Sequence, residues 1–377
     1  MIEEIGKEPE SSTLSEKSIK TGLASIIIPT YNEADNIVPL VARIHAAMGD
    51  RPYEILFVDD NSRDGTAGNA ASLVPRYPVK VLIRKNKRGL ATAILDGLHY
   101  VHGEYICVMD ADLQHPPEVL PELFHEMDEG NDLVIASRYV PGGGCEGWSL
   151  TRRVISKGAI ALAHIFLPAT RQCSDPMSGF FAFHNEVVKR ATLNPLGYKI
   201  LLEIIIMGDH ENIAEVPFTF VTRTRGESKL NTKTQKEYLK HLYSLMHRTG
   251  EDARFIKFLL VGASGVVVNL GAQFVFKDLV NITLPIAVAA AIEISIVSNF
   301  LLNDKFTFRD RLSAGESNIF ARLLKFNGVS LVGAGVQYAI TLVLAITIGL
   351  HHLPSALVGI VVATMINYLV NNWWTWK

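Results

Sequence analysis

Val108-Met109-Asp110-Ala111-Asp112-Leu113-Gln114 continues directly from Tyr105-Ile106-Cys107, and together they read as a strand that runs out into acids. Residues 105–109 form an apolar run of strand length, suited to a parallel strand covered on both faces. Beyond it stand two carboxylates at i and i+2, with an amide oxygen two residues further on. Three hard oxygen ligands at such a point suit Mg²⁺ or Mn²⁺, ions that keep part of their shell for substrate phosphates. An exposed Asp-x-Asp turn uses the same residues, because Asp favours turns. The surrounding chain separates the two readings.

Upstream, Ser25-Ile26-Ile27-Ile28-Pro29 is a β-branched run stopped by proline, followed by Thr30-Tyr31-Asn32-Glu33 and a helical pattern to Met48. Glu54-Ile55-Leu56-Phe57-Val58-Asp59-Asp60 is a second strand ending in acids, and Asp64-Gly65-Thr66 opens a helix. Residues 79–83 give a third strand, 89–100 a helix, and 133–137 a fifth strand, followed by Arg138. Strand–helix alternation predicts an α/β fold with a mainly parallel sheet and helices on both faces. Ligands in such sheets bind beyond the carboxyl ends of the strands. Tyr31, Glu33, Asp59, Asp60, Asp110, Asp112, Gln114 and Arg138 all fall there, which favours the metal reading. No Gly-x-Gly-x-x-Gly or Walker loop follows any of these strands, which argues against dinucleotide enzymes and P-loop NTPases. A net charge of -2 gives no sign of a nucleic-acid partner. Three cysteines, Cys107, Cys145 and Cys173, show no metal spacing and suit a reducing compartment. Residues 1–20 are Glu-, Lys- and Ser-rich and read as a disordered tail.

The three motifs, 25–33, 58–66 and 110–112, in this order, resemble the family 2 glycosyltransferases of the GT-A (Rossmann-like) fold. The resemblance covers roughly residues 23–230 and places the catalytic domain at 21–230. It implies that Pro29, Tyr31, Glu33, Val58, Asp60 and Ala111 bind the nucleotide sugar donor. It further implies that Asp110, Asp112 and Gln114 set Mg²⁺ or Mn²⁺ on the donor diphosphate. Independently of any family, a leaving nucleoside diphosphate gains negative charge that a cation stabilises.

Asp175-Pro176-Met177-Ser178-Gly179-Phe180-Phe181 resembles a segment of dolichyl-phosphate mannose synthases. Arg223-Thr224-Arg225-Gly226-Glu227-Ser228-Lys229 resembles their basic closing loop, so Arg223 and Lys229 are implied to reach the donor diphosphate; a solvated basic loop is the alternative. By the same resemblance Arg138 and Arg152 hold the acceptor's phosphate, whereas Arg152 and Arg153 could instead meet lipid head groups. The Gln-x-x-Arg-Trp signature of processive polysaccharide synthases does not occur. Residues 154–167 and 235–246 are apolar or amphipathic stretches that suit either the membrane interface or core packing. His99, His102, His115, His125 and His164 read as structural or solvated.

After residue 254 the composition turns apolar. Stretches 255–279, 284–303, 326–350 and 353–370 are each about long enough to cross a bilayer as a helix. An internal repeat relates 254–308 to 322–376: Arg254 and Lys257-Phe258 return as Arg322 and Lys325-Phe326 at sixty-eight positions. This half resembles the GtrA-like four-helix membrane domains, with 231–253 as an amphipathic connection and 254–377 as the bundle. Glu293 is either functional or a hydrogen-bonded acid within the bundle. Lys305, Arg309, Arg311, Arg322 and Lys325 lie between the second and third helices. Positive-inside counting puts both termini and the catalytic domain in the cytoplasm. Phe306, Phe308, Trp373, Trp374 and Trp376 read as an aromatic belt.

The expectation is a membrane-bound, metal-dependent, inverting glycosyltransferase. Its substrates would be GDP-mannose and dolichyl (polyprenyl) phosphate, with Asp112, Arg138 and Arg152 at the chemistry. The alternatives are a polyprenyl-phosphate glucosyltransferase using UDP-glucose and a lipid transporter or scaffold with an inactive transferase domain.

Overall fold

The computed structural model describes residues 2–5, 18–85, 89–221, 232–312 and 318–376. It divides into two compact units, Met1–Leu245 and Met246–Lys377.

In the first unit the apolar runs become strands because each is covered on both faces. The strands are β1 (Ile2–Ile5), β2 (Lys20–Thr30), β3 (Tyr53–Asp59), β4 (Val79–Arg84), β5 (Gly103–Val108) and β6 (Leu133–Ser137). They are joined by β8 (Phe181–His184) and β9 (Ile213–Pro217) in one sheet of order β1-β4-β3-β2-β5-β8-β6-β9. β7 (Gly144–Cys145) and β10 (Thr219–Phe220) pair separately, parallel to each other. Helices α1 (Ala34–Met48), α2 (Thr66–Ser72), α3 (Leu90–Leu98) and α4 (Leu120–Asp128) make most of the crossovers between the parallel strands. One core layer gathers Ile26, Ile28, Phe57, Cys107 and Met109; the other gathers Ile27, Leu56, Val58, Ile106 and Val108. Alternate residues of the same strands thus face opposite layers, as a doubly covered sheet requires.

β2 pairs in parallel with β3 on one side and β5 on the other, so the chain changes direction between β2 and β5. That is the switch point where α/β sheets open a crevice for ligands. β8 is antiparallel to both β5 and β6, which leaves β5 and β6 running the same way. The carboxyl ends of β2, β3, β5 and β6 therefore share one edge.

Within the expected tail, the described residues are 2–5 and 18–20. Ile2–Ile5 adds a parallel edge strand to β4, in register with Val81 to Arg84, and Lys20 already begins β2. An unpaired edge of apolar β4 is a template for any strand-forming segment, and Ile2 and Ile5 supply one.

Three further helices lie in or begin in this unit: α5 (Leu150–Phe166), α7 (Ile200–Met207) and α8 (Thr232–Thr249); α6 (Glu186–Lys189) is one turn. α5 and α8 each bury one face and expose another that is partly apolar. Ile160, Ala163, Tyr238 and Leu242 are buried, while Leu150, Val154, Leu239 and Tyr243 are exposed. Tyr238 ties the two helices by donating its hydroxyl to the Ala159 carbonyl at 2.7 Å.

The second unit contains α9 (Glu251–Phe274), α10 (Leu284–Leu302), α11 (Ile319–Leu342) and α12 (His352–Val370). With their terminal π turns they form four apolar spans long enough to cross a membrane. The π turns fall at Val275–Leu279, Asn303–Thr307, Val343–Thr347 and Asn371–Thr375, so the first pair repeats in the second at the sixty-eight-residue offset of the sequence. Asn299 packs against Gly265 and Asn367 against Gly333, again at that offset; a Cβ at either glycine would collide with the amide. Glu293 accepts a hydrogen bond from Asn327 Nδ2 at 2.7 Å, but it is exposed and not buried within the bundle.

The aromatic belt needs correction. Phe306, Trp373 and Trp374 are exposed, but Phe308 and Trp376 are buried and stack at 4.3 Å. Trp376 also donates its indole N–H to Asp304 Oδ1 at 2.9 Å, and Arg322 pairs with the same carboxylate. An indole with a buried acceptor within reach packs inward rather than at the interface.

Candidate active site

Each motif ends its strand in a strained turn. Among the described residues only Asn32, Asn61, Leu113 and Asn281 are non-glycine residues with positive φ. The first three follow β2, β3 and β5 in turn. Left-handed backbone costs about 1 kcal/mol or more outside glycine and gathers at functional sites. Leu113 is the most telling, because leucine has no short polar side chain to hydrogen-bond locally and offset that cost.

The first two turns are laced together. Asn32 N–H donates to Ser62 Oγ, Glu33 N–H to Thr66 Oγ1, and Ala34 N–H to Asp64 Oδ2, all within 3.0 Å. Glu33 Oε2 accepts from Asn36 Nδ2 at 2.7 Å. Asp59 is spent on Thr30 and Ser62. Asp60 is also engaged: Oδ1 accepts Arg84 Nε at 2.7 Å and Oδ2 accepts Gly89 N–H at 2.8 Å. Asp60 therefore shapes the rim through Arg84 and the start of α3. Val58 faces the core completely, so only its main chain is available to a ligand. Pro29 pairs with Val58 in the sheet, and Tyr31 is half-buried at the rim.

At the third turn Gln114 folds back over its neighbours. Its N–H reaches Asp112 Oδ1 at 3.1 Å, and its side-chain amide donates to the Val221 carbonyl at 2.8 Å. Val221 is the last described residue before the basic stretch. Arg223 and Lys229 lie outside the described residues. His115, buried beneath, accepts the Asp110 N–H through Nδ1 at 3.0 Å and stacks on Phe180. Burial, opposed in part by Asp112, holds the His115 imidazole down at about 4, so the ring is neutral and acts as a prop. Ala111 is buried between the two acids.

Two carboxylates and one carboxamide at this turn suit a hard divalent ion that completes its shell with oxygens of a bound diphosphate. Among the described residues no group of three or more His, Cys, Asp or Glu could hold a metal alone. The set thus fits an ion shared with substrate, not a closed structural site.

Arg138 follows β6 and is buried. Its Nε and Nη2 donate to Asp175 Oδ2 and Oδ1, both at 2.7 Å. Burial disfavours the cation, but Asp175 outweighs it and raises the guanidinium pKa. Ser149 caps α5 by accepting the Arg152 N–H at 3.3 Å. Arg152 lies 4.1 Å over the Trp148 ring, and Arg138 lies 5.4 Å from the same ring. Phe220 backs both guanidinium groups at 5.8 and 5.9 Å. The structure thus brings Arg138 and Arg152 together on an aromatic shelf. Arg153 points elsewhere, donating to the Cys145 carbonyl at 3.2 Å.

Sequence reasoning did not single out Trp148, Asp175 as a partner of Arg138, or Lys199, whereas His115 takes the structural role expected of it. Trp148, the one tryptophan outside the last five residues, four positions before Arg152, was the available signal.

A covered parallel sheet with acids at its switch point and an arginine pair beside them defines a nucleotide-sugar glycosyltransferase, and comparison with known proteins agrees. The family model "Glycosyl transferase family 2" matches residues 25–193, and "GtrA/DPMS, transmembrane domain" matches residues 257–376. A dolichol-phosphate mannosyltransferase of Pyrococcus furiosus is 48% identical over 352 residues, 93% of this chain and 99% of that one. A dolichol-phosphate mannosyltransferase of Saccharomyces cerevisiae is 40% identical over 59% of this chain and 86% of its own. Mannosyl-3-phosphoglycerate synthase from Rubrobacter xylanophilus has a solved structure with 21% identity, covering 61% of this chain and 75% of that one, at a TM-score of 0.49. The chain belongs to the dolichol-phosphate mannosyltransferase family, and it is a multi-pass membrane glycosyltransferase.

Proposed function

We propose that this protein transfers one mannose from GDP-mannose to dolichyl phosphate with inversion at the anomeric carbon. The observation that carries the reading is the Arg138–Arg152 pair on Trp148, set beside the Asp110–Gln114 turn on the same sheet edge. Cations on one side suit an acceptor phosphate, and acids on the other suit a metal-bound donor diphosphate.

An acceptor phosphate monoester has a second pKa of about 6 and is ionised near neutrality, so no general base is required. Its oxygen attacks the anomeric carbon while the bond from that carbon to the diphosphate breaks. The acceptor loses one negative charge and the nucleoside diphosphate gains one. When bound, Mg²⁺ or Mn²⁺ supplies positive charge at the leaving diphosphate. Asp110, Asp112 and Gln114 are the residues that would hold it. Arg138 and Arg152 hold the acceptor in line. Pro29, Tyr31, Glu33, Val58, Asp60 and Ala111 line the donor's nucleotide, and Arg223 and Lys229 bind its diphosphate. Residues 21–230 form the catalytic domain, 231–253 the amphipathic connection and 254–377 the membrane domain. Lys and Arg between the second and third spans support a cytoplasmic position for the catalytic domain and both termini.

The test is incubation of the purified full chain with Mn²⁺, dolichyl phosphate and labelled nucleotide sugars. Label from GDP-mannose should enter lipid and be competed by GDP. Transfer from UDP-glucose instead, competed by UDP, would overturn the mannose reading.

A further inference from the structure

Lys199 immediately precedes α7 and reaches back to a loop that touches both halves of the site. Its ammonium donates to the Met177 carbonyl at 2.7 Å, the middle of the 175–179 segment. At one end of that segment Asp175 grips Arg138. At the other, Gly179 lies so close to the acid turn that a Cβ would stand 3.5 Å from Asp110 Oδ2 and 3.1 Å from the His115 ring. Lys199 therefore stands over the strip of chain between the arginine shelf and the metal turn.

The charges around it do not cancel. Arg138, Arg152 and Lys199 are three cations, and the carboxylate embedded among them is the wholly buried Asp175. Asp110 faces Lys199 from the donor side, and the Tyr198 ring lies 4.6 Å from its ammonium. Three cations against Asp175, with Asp110 on the donor side, still leave a net positive charge that an ionised phosphate monoester would offset. Repulsion among the three is strongest in the empty site and is relieved by such an anion.

We propose that Lys199 is a third cation of the acceptor-phosphate subsite, contacting the lipid phosphate on the side that faces the donor and so setting its line of attack. This rests on the transferase reading above. Burial and Arg138 bring the Lys199 ammonium down to about 8, with Asp175 and Asp110 opposing and Arg152 adding to the effect. In the free enzyme this pKa produces an alkaline limb in kcat/KM for the acceptor.

The experiment uses the full chain and compares wild type, Lys199→Met and Lys199→Arg. Binding of a ten-carbon prenyl monophosphate is measured by calorimetry, and acceptor and donor KM by transfer assay with GDP-mannose. Lys199→Met should weaken prenyl phosphate binding and raise acceptor KM at least tenfold, with donor KM within twofold. Lys199→Arg should restore both and move the alkaline limb upward. Unchanged acceptor binding in Lys199→Met, or a loss confined to the donor, would overturn the proposal. So would equal damage in both variants with a lowered Tm, since the Met177 hydrogen bond would then explain everything. Wild type that binds prenyl phosphate through Lys199 but transfers no mannose would sink the choice of sugar and leave Lys199 in its place. Wild type that binds no prenyl phosphate would sink Lys199's role directly.

Discussion

Arg138 and Asp175, 37 residues apart, form a buried two-point ion pair in which Asp175 Oδ2 also accepts the Arg138 main-chain N–H at 3.2 Å. The carboxylate fixes both the rotamer and the backbone of the arginine. Removing one partner of a buried pair costs about 3–5 kcal/mol, because the other charge stays desolvated. Asp175→Ala should lower the Tm of the catalytic domain markedly and weaken acceptor use. Asp175→Asn, which still accepts one hydrogen bond, should fall between. Thermal melts beside acceptor KM measure both. A melt and KM matching wild type in Asp175→Ala would show that Arg138 is held by something else.

Trp148 is the shelf on which the two arginines meet. A cation over an indole is worth about 0.5–2 kcal/mol, most for Arg152 at 4.1 Å. Trp148→Ala should raise acceptor KM by roughly 2- to 30-fold. Trp148→Phe should recover part of the loss, and donor KM should stay near wild type. Steady-state kinetics with each substrate varied in turn decides it.

The parallel strands were legible because a doubly covered strand must be apolar on both faces, so 26–28, 55–58, 105–109 and 133–136 stand out as unbroken runs and 79–83 as a run broken only by Lys80. β8 was not, although Phe181 and Phe183 are wholly buried. It is four residues long, antiparallel, and starts on the last residue of a stretch read as a site motif. The acids were legible as site residues because they cluster where strands stop. Their division of labour was not: Asp59 and Asp60 look alike in sequence, yet one braces a turn and the other binds Arg84. The Arg138–Asp175 and Lys199–Met177 links join segments 37 and 22 residues apart, and no local pattern encodes them.

Glu54 gives the sheet a pH-dependent tie. Its carboxylate accepts Ser25 Oγ at 2.6 Å, His102 N–H at 2.7 Å and Lys80 Nζ at 2.8 Å. Burial opposes ionisation, but these three donors outweigh it and hold the pKa below the usual glutamate value. A carboxylate with a depressed folded pKa stabilises above its unfolded value, about 4.3, and loses that contribution as pH falls through the folded one. Glu54→Gln should therefore melt below wild type at pH 7, and the gap should narrow as pH falls below the usual glutamate value. A gap that stays constant across that range would mean packing, not charge, sets the difference.

Asp112 carries the sharpest expectation for the chemistry. It is buried at a turn held by the left-handed Leu113, and its Oδ1 already orients Gln114. The electrostatic role needs its negative charge; the turn needs only an acceptor. Asp112→Asn should keep the turn, and hence the Tm, while transfer falls by about 10²-fold or more, the usual loss when a group stabilising transition-state charge is removed. Chelation with EDTA should silence wild type, and added Mn²⁺ should restore it. Asp112→Asn should remain slow at any Mn²⁺ concentration that saturates wild type. Near-normal turnover by a folded Asp112→Asn protein would move the metal assignment away from this turn. Recovery of full turnover at high Mn²⁺ would instead make Asp112 a contributor to affinity alone, with Asp110 carrying the ion through the transfer.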